Sequence, residues 1–533
     1  MAMLIKNGTI INGNNVESYV GDIFIDNSRI VAIGDSKDWE KSITSEVKVI
    51  DVKGYIVSPG FIDTHSHSDL KVLTEPDVEP KLMQGITTEV LGQDGISMAP
   101  LPIQYISAWR KNLAGLDGES SEINWEYETT KNYLAMIEKA KPAVNESYLL
   151  PHGNVRMEAM GLGNHEASDE EIKKMCDITR REMESGCLGL SSGLIYMPCA
   201  YSNTKEIIEI CKVVNEFDGV FVVHQRSEAD TIISSMEEII EIGRESGVQI
   251  HFSHFKVCGK KNWKYLDQMF DLLDRAKKEG IKVSLDQYPY VAGSTMLGVI
   301  LPPWVHDGGT DKLVERLKSK DLREKMKKDM TDGIPGWDNF IDFAGVEGIF
   351  ITSVASPKNK DVVGLSLLQL GELKKKEPLE ATFDLLMEEQ NAVGMVDFYG
   401  LEDHVKKIMK RSEMNVCTDG LLSGTPHPRV YGSFARVLGK YVRQENVLSL
   451  VEAIYKMTGK AADALNIKER GFIRVGYYAD ITIFNPDTII DKGTFENPKQ
   501  FPEGIEYVIV NGETAVENGK YTKKRNGMVI RRS

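Results

Sequence analysis

Five residues of this 533-residue chain have the type and placement to hold a metal ion: His65, His67, His224, His254 and Asp419. The first two close residues 57–69, VSPGFIDTHSHSD, where an apolar run meets Pro59-Gly60 and continues through Phe61-Ile62-Asp63. In an extended strand, residues i and i+2 share a face. His65 and His67 therefore project together from the end of one buried strand, half of a metal site. A lone His-x-His pair is a weak signal, but its place at a strand end, with Asp63 and Asp69 beside it, strengthens it. His224 ends the apolar strand GVFVVH, His254 ends VQIHFSH, and Asp419 ends NVCTD. A single histidine at a strand end is more often packed than ligating; four histidines and an aspartate at strand ends point to a metal. Nitrogen and carboxylate donors with no obligatory thiolate suit Zn2+, as one or two ions, with Mn2+, Co2+ and Ni2+ as alternatives. His251, odd-spaced to His254, is expected to face outward in a structural role.

Those strand ends must be brought to one place, and the pattern between them says how. Strand-like runs at 56–64, 86–92, 147–152, 187–192, 219–224, 248–254, 281–287 and 414–418 alternate with helical stretches such as 169–185 and 229–246. Alternation of this kind is the mark of a parallel α/β fold. Eight such units predict a (β/α)8 TIM-like barrel, whose chemistry sits at the C-terminal ends of its strands. The first 56 residues read instead as short antiparallel strands, with Asn7-Gly8 as a turn. The far end reads alike, in ADITIF (479–484) and YVIVNG (507–512). Neither piece buries a good core alone, so the two are expected to form one small β-sandwich. The predicted organisation is a β domain from 1–56 and 466–533 around a barrel over 57–465. An inserted segment at about 295–345, placed before the last strand, has the character of a lid.

Composition bounds the function. Hydrophobic residues are 41% and charged residues 27%, as in soluble globular proteins. With 64 basic and 79 acidic residues the net charge is -15, which argues against nucleic acid or anionic membrane as a partner. No run approaches the ~20 apolar residues of a membrane span, and MAMLIKNGTI lacks the pattern of a secretory signal. The six scattered cysteines fit reduced thiols in the cytoplasm better than a disulfide framework. The oligomeric state is not legible.

HSH on the first strand, His on the fifth and sixth and Asp on the eighth resemble the amidohydrolase superfamily. Within it the chain is similar to the D-aminoacylases, the N-acyl-D-amino-acid deacylases, through LIKNGTIING, VSPGFIDTHSHSD, GITTEVLGQDGIS, GLSSGLIYMP, HQRSE, SHFK, DQYPYVAGST, TDGL, HPRVYGSF and VGYYADITIFNP. The resemblance implies one ion held by His224, His254 and a residue ending the second strand. Relatives carry cysteine there; this chain has Asp94, which trades a soft thiolate for a hard oxygen. His65, His67 and Asp419 would make the second position. The fourth strand, CLGLSSGL, has no lysine of the kind binuclear hydantoinases and dihydroorotases carboxylate as a bridge.

The implied reaction is hydrolysis of an N-acyl-D-amino acid by metal-activated water, with Asp419 as general base and then acid. The resemblance also implies a carboxylate clamp of Tyr288, Ser294 and Arg429, the guanidinium fork matching a carboxylate. Lys256, two residues past His254, belongs either to the surroundings of the site or to solvent. The alternatives are a dipeptidase for C-terminal D-residues, a cyclic amide hydrolase, and a scaffold protein without activity. Retention of all five ligands argues against the last.

Overall fold

A computed structural model describes residues 2–39 and 47–532. Its centre is a run of parallel strands with helices between them. The first is Phe61–Asp63 with Ser66–His67, the second Ile86–Leu91, and the third Asn145–Tyr148 with Leu150–Pro151. Gly189–Gly193, Val220–His224, Gln249–Phe252 and Val283–Gln287 are the fourth to seventh, and Met414–Val416 with Gly420–Leu421 is the eighth. The first pairs with the second and the second with the third. Pairing then runs from Leu150–Pro151 through the fourth to the eighth. The eighth returns to the first, Gly420 beside Ser66 and Leu421 beside His67. Nearly every residue of these strands is buried, which is why they read as continuous apolar runs rather than alternating ones.

The run expected as one strand over 56–64 is two. Ile56–Pro59 lies antiparallel to Ile481–Phe484, while Phe61 begins the parallel set. Gly60 makes the break, and a Cβ there would overlap the Thr87 side chain. Strands from both chain ends share one nine-stranded sheet. Two expectations for the N-terminal unit fail. Asn7-Gly8 is not a hairpin turn but an irregularity within the single strand Ala2–Ile10, with Asn7 at φ 63°. Asparagine tolerates that left-handed backbone, so one extra residue is absorbed as a bulge and the strand continues. Nor is the unit all antiparallel, because Ala2–Ile10 pairs in parallel with Val47–Asp51 and Ile56–Pro59.

Between the seventh and eighth strands lies a second body. Ala292–Met296, Val393–Phe398 and Ile349–Val354 form an antiparallel sheet with Val393–Phe398 in the middle. Helices such as Lys320–Asp332 and Pro378–Glu388 cover it, around a hydrophobic cluster that includes Leu313, Met326, Ile349 and Phe383. It extends past residue 345 because Val393–Phe398 returns to pair with Ala292–Met296. Among the described residues no helix is long and apolar enough to cross a membrane.

Behind the HSH motif, one lysine ties three strands together. Fully buried Lys81 places its Nζ 2.8 Å from Asp63 Oδ2, 3.0 Å from Glu89 Oε2, 2.6 Å from Ser66 Oγ and 3.0 Å from Thr418 Oγ1. These partners come from the first strand, the second, and the residue before Asp419. Burial pushes the Asp63 carboxyl up even against the Lys81 charge. Removing the lysine strands two carboxylates in the core, so Lys81→Met is expected to cost about 3–5 kcal/mol. Urea denaturation measures it, and a loss below about 1 kcal/mol would contradict the assignment.

Candidate metal centre

The five strand-end residues converge. His65, His67, Asp94 and Asp419 form one buried group of donor atoms, and Asp94, His224 and His254 another. Asp94 belongs to both. His65 Nε2 lies 3.6 Å from Asp94 Oδ1 and 3.6 Å from Asp419 Oδ1. His67 Nε2 is 3.5 Å from Asp94 Oδ2 and 3.3 Å from Asp419 Oδ1, and His254 Nε2 is 3.6 Å from Asp94 Oδ1. Tetrahedral Zn2+ with bonds of ~2.0–2.1 Å sets its donors ~3.3 Å apart. These spacings fit a shared ion better than hydrogen bonds, while His224 Nδ1 and His254 Nε2 stand 2.8 Å apart. Orphaned polar atoms agree: both ring nitrogens of His65, Asp94 Oδ1 and His224 Nε2 are buried without a hydrogen-bond partner. The donor set therefore fits a divalent metal.

Backbone geometry shows how each donor is aimed. Asp94 (φ 55°), His254 (φ 35°) and Asp419 (φ 48°) all have left-handed backbone, unusual outside glycine and concentrated at functional sites. Asp94 stands in Gly92-Gln93-Asp94-Gly95. A Cβ on Gly92 would strike the Leu149 carbonyl, and one on Gly95 would lie 2.7 Å from Cys199 Sγ and 2.9 Å from Gly193 N. The glycines let this loop lie flat on the neighbouring strands and turn the carboxylate inward. Asp419 is anchored by its N–H, which donates to His65 O at 2.8 Å.

Carboxylates behind the histidines orient them. Glu228 Oε1 lies 3.1 Å from His254 Nδ1, and Lys256 Nζ donates to the same oxygen at 2.7 Å. Asp286 accepts from the His254 backbone N–H and sits 4.0 Å from His65 Nδ1. Such outer partners fix the ring orientation of metal-ligating histidines. The sequence reading assigned neither of them, although a carboxylate four residues past His224 in HQRSE and the first residue of DQYPY were the available signals. It also placed His251 outward. His251 is fully buried, with Nε2 3.0 Å from Asp286 Oδ2 and Nδ1 2.8 Å from Ser284 Oγ. Strand parity does not carry from His251 to His254, because the strand stops at Phe252 and His254 is turned by its positive φ.

Charge within the cluster is held by pairing. Burial would raise Asp94, yet His65, His254 and His67 hold its carboxyl well below the ordinary range. For Asp419, Arg429 and then His65 outweigh burial and lower it too. Burial takes His224 down to about 4, leaving it a neutral imidazole.

Tyr288, Ser294 and Arg429 line the same pocket as the ligands. Arg429, fully buried, sets Nη1 2.9 Å from Asp419 Oδ2, donates from Nη2 to Ser294 O at 2.9 Å, and lies over the Tyr288 ring. The Ser294 hydroxyl donates to Met395 O at 2.8 Å, and the Tyr288 and Tyr399 hydroxyls are 2.6 Å apart. Ser294 thus meets Arg429 through its carbonyl rather than its side chain. Lys256 is the pocket's other cation.

Comparison with known proteins places this geometry in context. A family model described as the amidohydrolase family matches residues 48–224 and 405–516. The chain is 33% identical over 532 residues to the D-aminoacylase of Alcaligenes xylosoxydans xylosoxydans, covering 100% of this chain and 98% of that protein. It superimposes with a TM-score of 0.82, at 33% identity over 99% of both chains, on a D-aminoacylase with a binuclear metal centre. The N-acyl-D-glutamate deacylase of Bordetella bronchiseptica, solved with zinc and a phosphonate inhibitor, matches with a TM-score of 0.81 at 30% identity, again over 99% of each chain.

Proposed function

We propose, from the premise that this chain belongs to the D-aminoacylase branch of the amidohydrolase family, that it hydrolyses N-acyl-D-amino acids to a carboxylate and a free D-amino acid. The observation that carries this reading is one pocket holding both a ligand-spaced donor cluster and two cations, buried Arg429 and partly buried Lys256. A linear N-acyl amino acid offers a scissile amide to the first and a free carboxylate to the second. A hydantoin or other cyclic amide has no free carboxylate on the carbon next to the scissile nitrogen.

Asp94, His224 and His254 would hold one ion and His65, His67 and Asp419 a second, with Asp94 belonging to both donor groups. A divalent ion there supplies Lewis acidity toward the amide oxygen and lowers the pKa of water to ~7. Asp419 takes the proton of the attacking water and returns it to the amide nitrogen, which must be protonated for the C–N bond to break. Arg429 keeps Asp419 ionised and oriented. Its remaining N–H groups, with Lys256 and the Tyr288 hydroxyl, face the substrate carboxylate, and Ser294 holds Arg429 through its carbonyl.

The same reading takes the eight parallel strands as a closed (β/α)8 barrel and the sheet from the two chain ends as the small β-sandwich. With all six cysteines unpaired, a reducing cytoplasm is the compartment it fits. The test is turnover of paired N-acetyl-D- and N-acetyl-L-amino acids by Zn2+-loaded protein. Release of D-amino acids should vanish on chelation and return with Zn2+. No turnover of any N-acyl-D-amino acid by metal-loaded protein would overturn the reading.

A further inference from the structure

The pocket holds more negative charge than its machinery uses. Five carboxylates line it: Asp94, Glu228, Asp338, Asp397 and Asp419. Four have partners. Asp94 is in the donor cluster, Glu228 pairs with Lys256 at 2.7 Å, and Asp419 pairs with Arg429 at 2.9 Å. Asp338 accepts from Ser227 Oγ at 2.6 Å and from the Glu228 N–H at 2.7 Å. The Asp397 carboxylate takes a hydrogen bond from its own backbone N–H but has no hydrogen bond or ion pair to another residue among the described residues, yet it is only 2% exposed. An uncompensated buried carboxylate is costly, and here burial pushes its carboxyl up to about 7 despite the charges of Lys256 and Arg429.

Its surroundings are shaped to admit a ligand. Asp397 lies in the central strand of the inserted sheet, directly across from Gly293. A Cβ on Gly293 would stand 3.0 Å from Asp397 Oδ1 and 3.0 Å from Tyr399 Cε1. Glycine at this register position leaves the space beside the carboxylate open to the pocket. Leu116, Phe340 and Phe343 give the same pocket an apolar wall. An apolar wall leading to a lone carboxylate matches a chain of methylenes ending in a cation.

We infer that Asp397 is a specificity residue that selects N-acyl-D-amino acids whose side chain ends in an amine or guanidinium, and disfavours acidic ones such as the relative named an N-acyl-D-glutamate deacylase takes. This rests on the deacylase reading above. The ammonium or guanidinium of the substrate donates to Asp397 while its carboxylate faces Arg429 and Lys256, so the substrate brings one charge of each sign to a pocket that offers both.

The experiment compares kcat/KM for Nα-acetyl-D-lysine, Nα-acetyl-D-arginine, N-acetyl-D-norleucine and N-acetyl-D-glutamate on the full Zn2+-loaded chain and on Asp397→Asn. Norleucine has the length of lysine without its charge. The wild type is expected to favour lysine or arginine over norleucine by about 10-fold or more, since a site built to hydrogen-bond a polar group discriminates against its absence. In Asp397→Asn that ratio should fall to within about 3-fold of unity. If this variant folds poorly, Asp397→Ser carries the same comparison. Equal or better use of norleucine by the wild type, or a lysine preference that survives the substitution, overturns the inference and leaves the deacylase reading intact. Failure on all four substrates overturns both.

Discussion

Asp419→Asn is expected to lower kcat by about 10²- to 10⁴-fold, the usual contribution of a positioned general acid–base. The amide keeps the shape of the carboxylate and can still face Arg429, but it cannot take a proton from water. The ion at Asp94, His224 and His254 lies outside the change. Metal content by atomic emission should therefore retain at least that equivalent while turnover collapses. Loss of rate with full loss of metal would mean that Asp419 holds the ion rather than moving the proton. A variant within tenfold of the wild type would remove Asp419 from the chemistry.

The second large effect belongs to Asp94. It is the one residue shared by the two donor groups, so Asp94→Ala removes a ligand from both at once. Loss of a mere outer partner of a metal ligand weakens binding by about 10- to 100-fold, and loss of a shared ligand should exceed that. Zinc affinity by competition with a chromophoric chelator is the measurement, with activity expected to fall by at least about 10³-fold. Asp94→Cys is the informative companion, since cysteine is a good Zn2+ ligand and the backbone already supports a non-glycine residue at φ 55°. Cysteine should restore zinc affinity that alanine loses. Unchanged zinc affinity in Asp94→Ala would show that this carboxylate only shapes its loop.

The sequence by itself identified most of the residues that the fold brings together and most of the elements that carry them. His65 and His67 share a face because strand periodicity is local, and they meet the same two carboxylates. His224 and Asp419 were legible for a similar reason, each closing or following a short apolar run. Parity failed where backbone left the strand: His251 turned inward and His254 was aimed by a positive φ that periodicity cannot express. Asn7-Gly8, read as a turn, is absorbed inside a strand, because whether an αL residue reverses the chain depends on which neighbours pair with it.

Only the tertiary structure decided what surrounds the donors. Glu228 behind His254, Asp286 between His65 and His251, and Lys81 among Asp63, Glu89 and Ser66 are contacts across separate strands; HQRSE and DQYPY mark the two carboxylates, but which histidine each one meets is set by the assembled strands. The same holds for Arg429, which a surface reading would have sent to solvent and which is fully buried against Asp419. Asp397 is the clearest case. In the sequence it is one acidic residue in VGMVDF, and its lack of a partner from another residue follows from the inserted sheet, which sets it opposite Gly293 inside the pocket. Residue type and local period decide which groups can act. Burial, which makes an unpaired charge costly and a paired one oriented, is a property of the assembled chain.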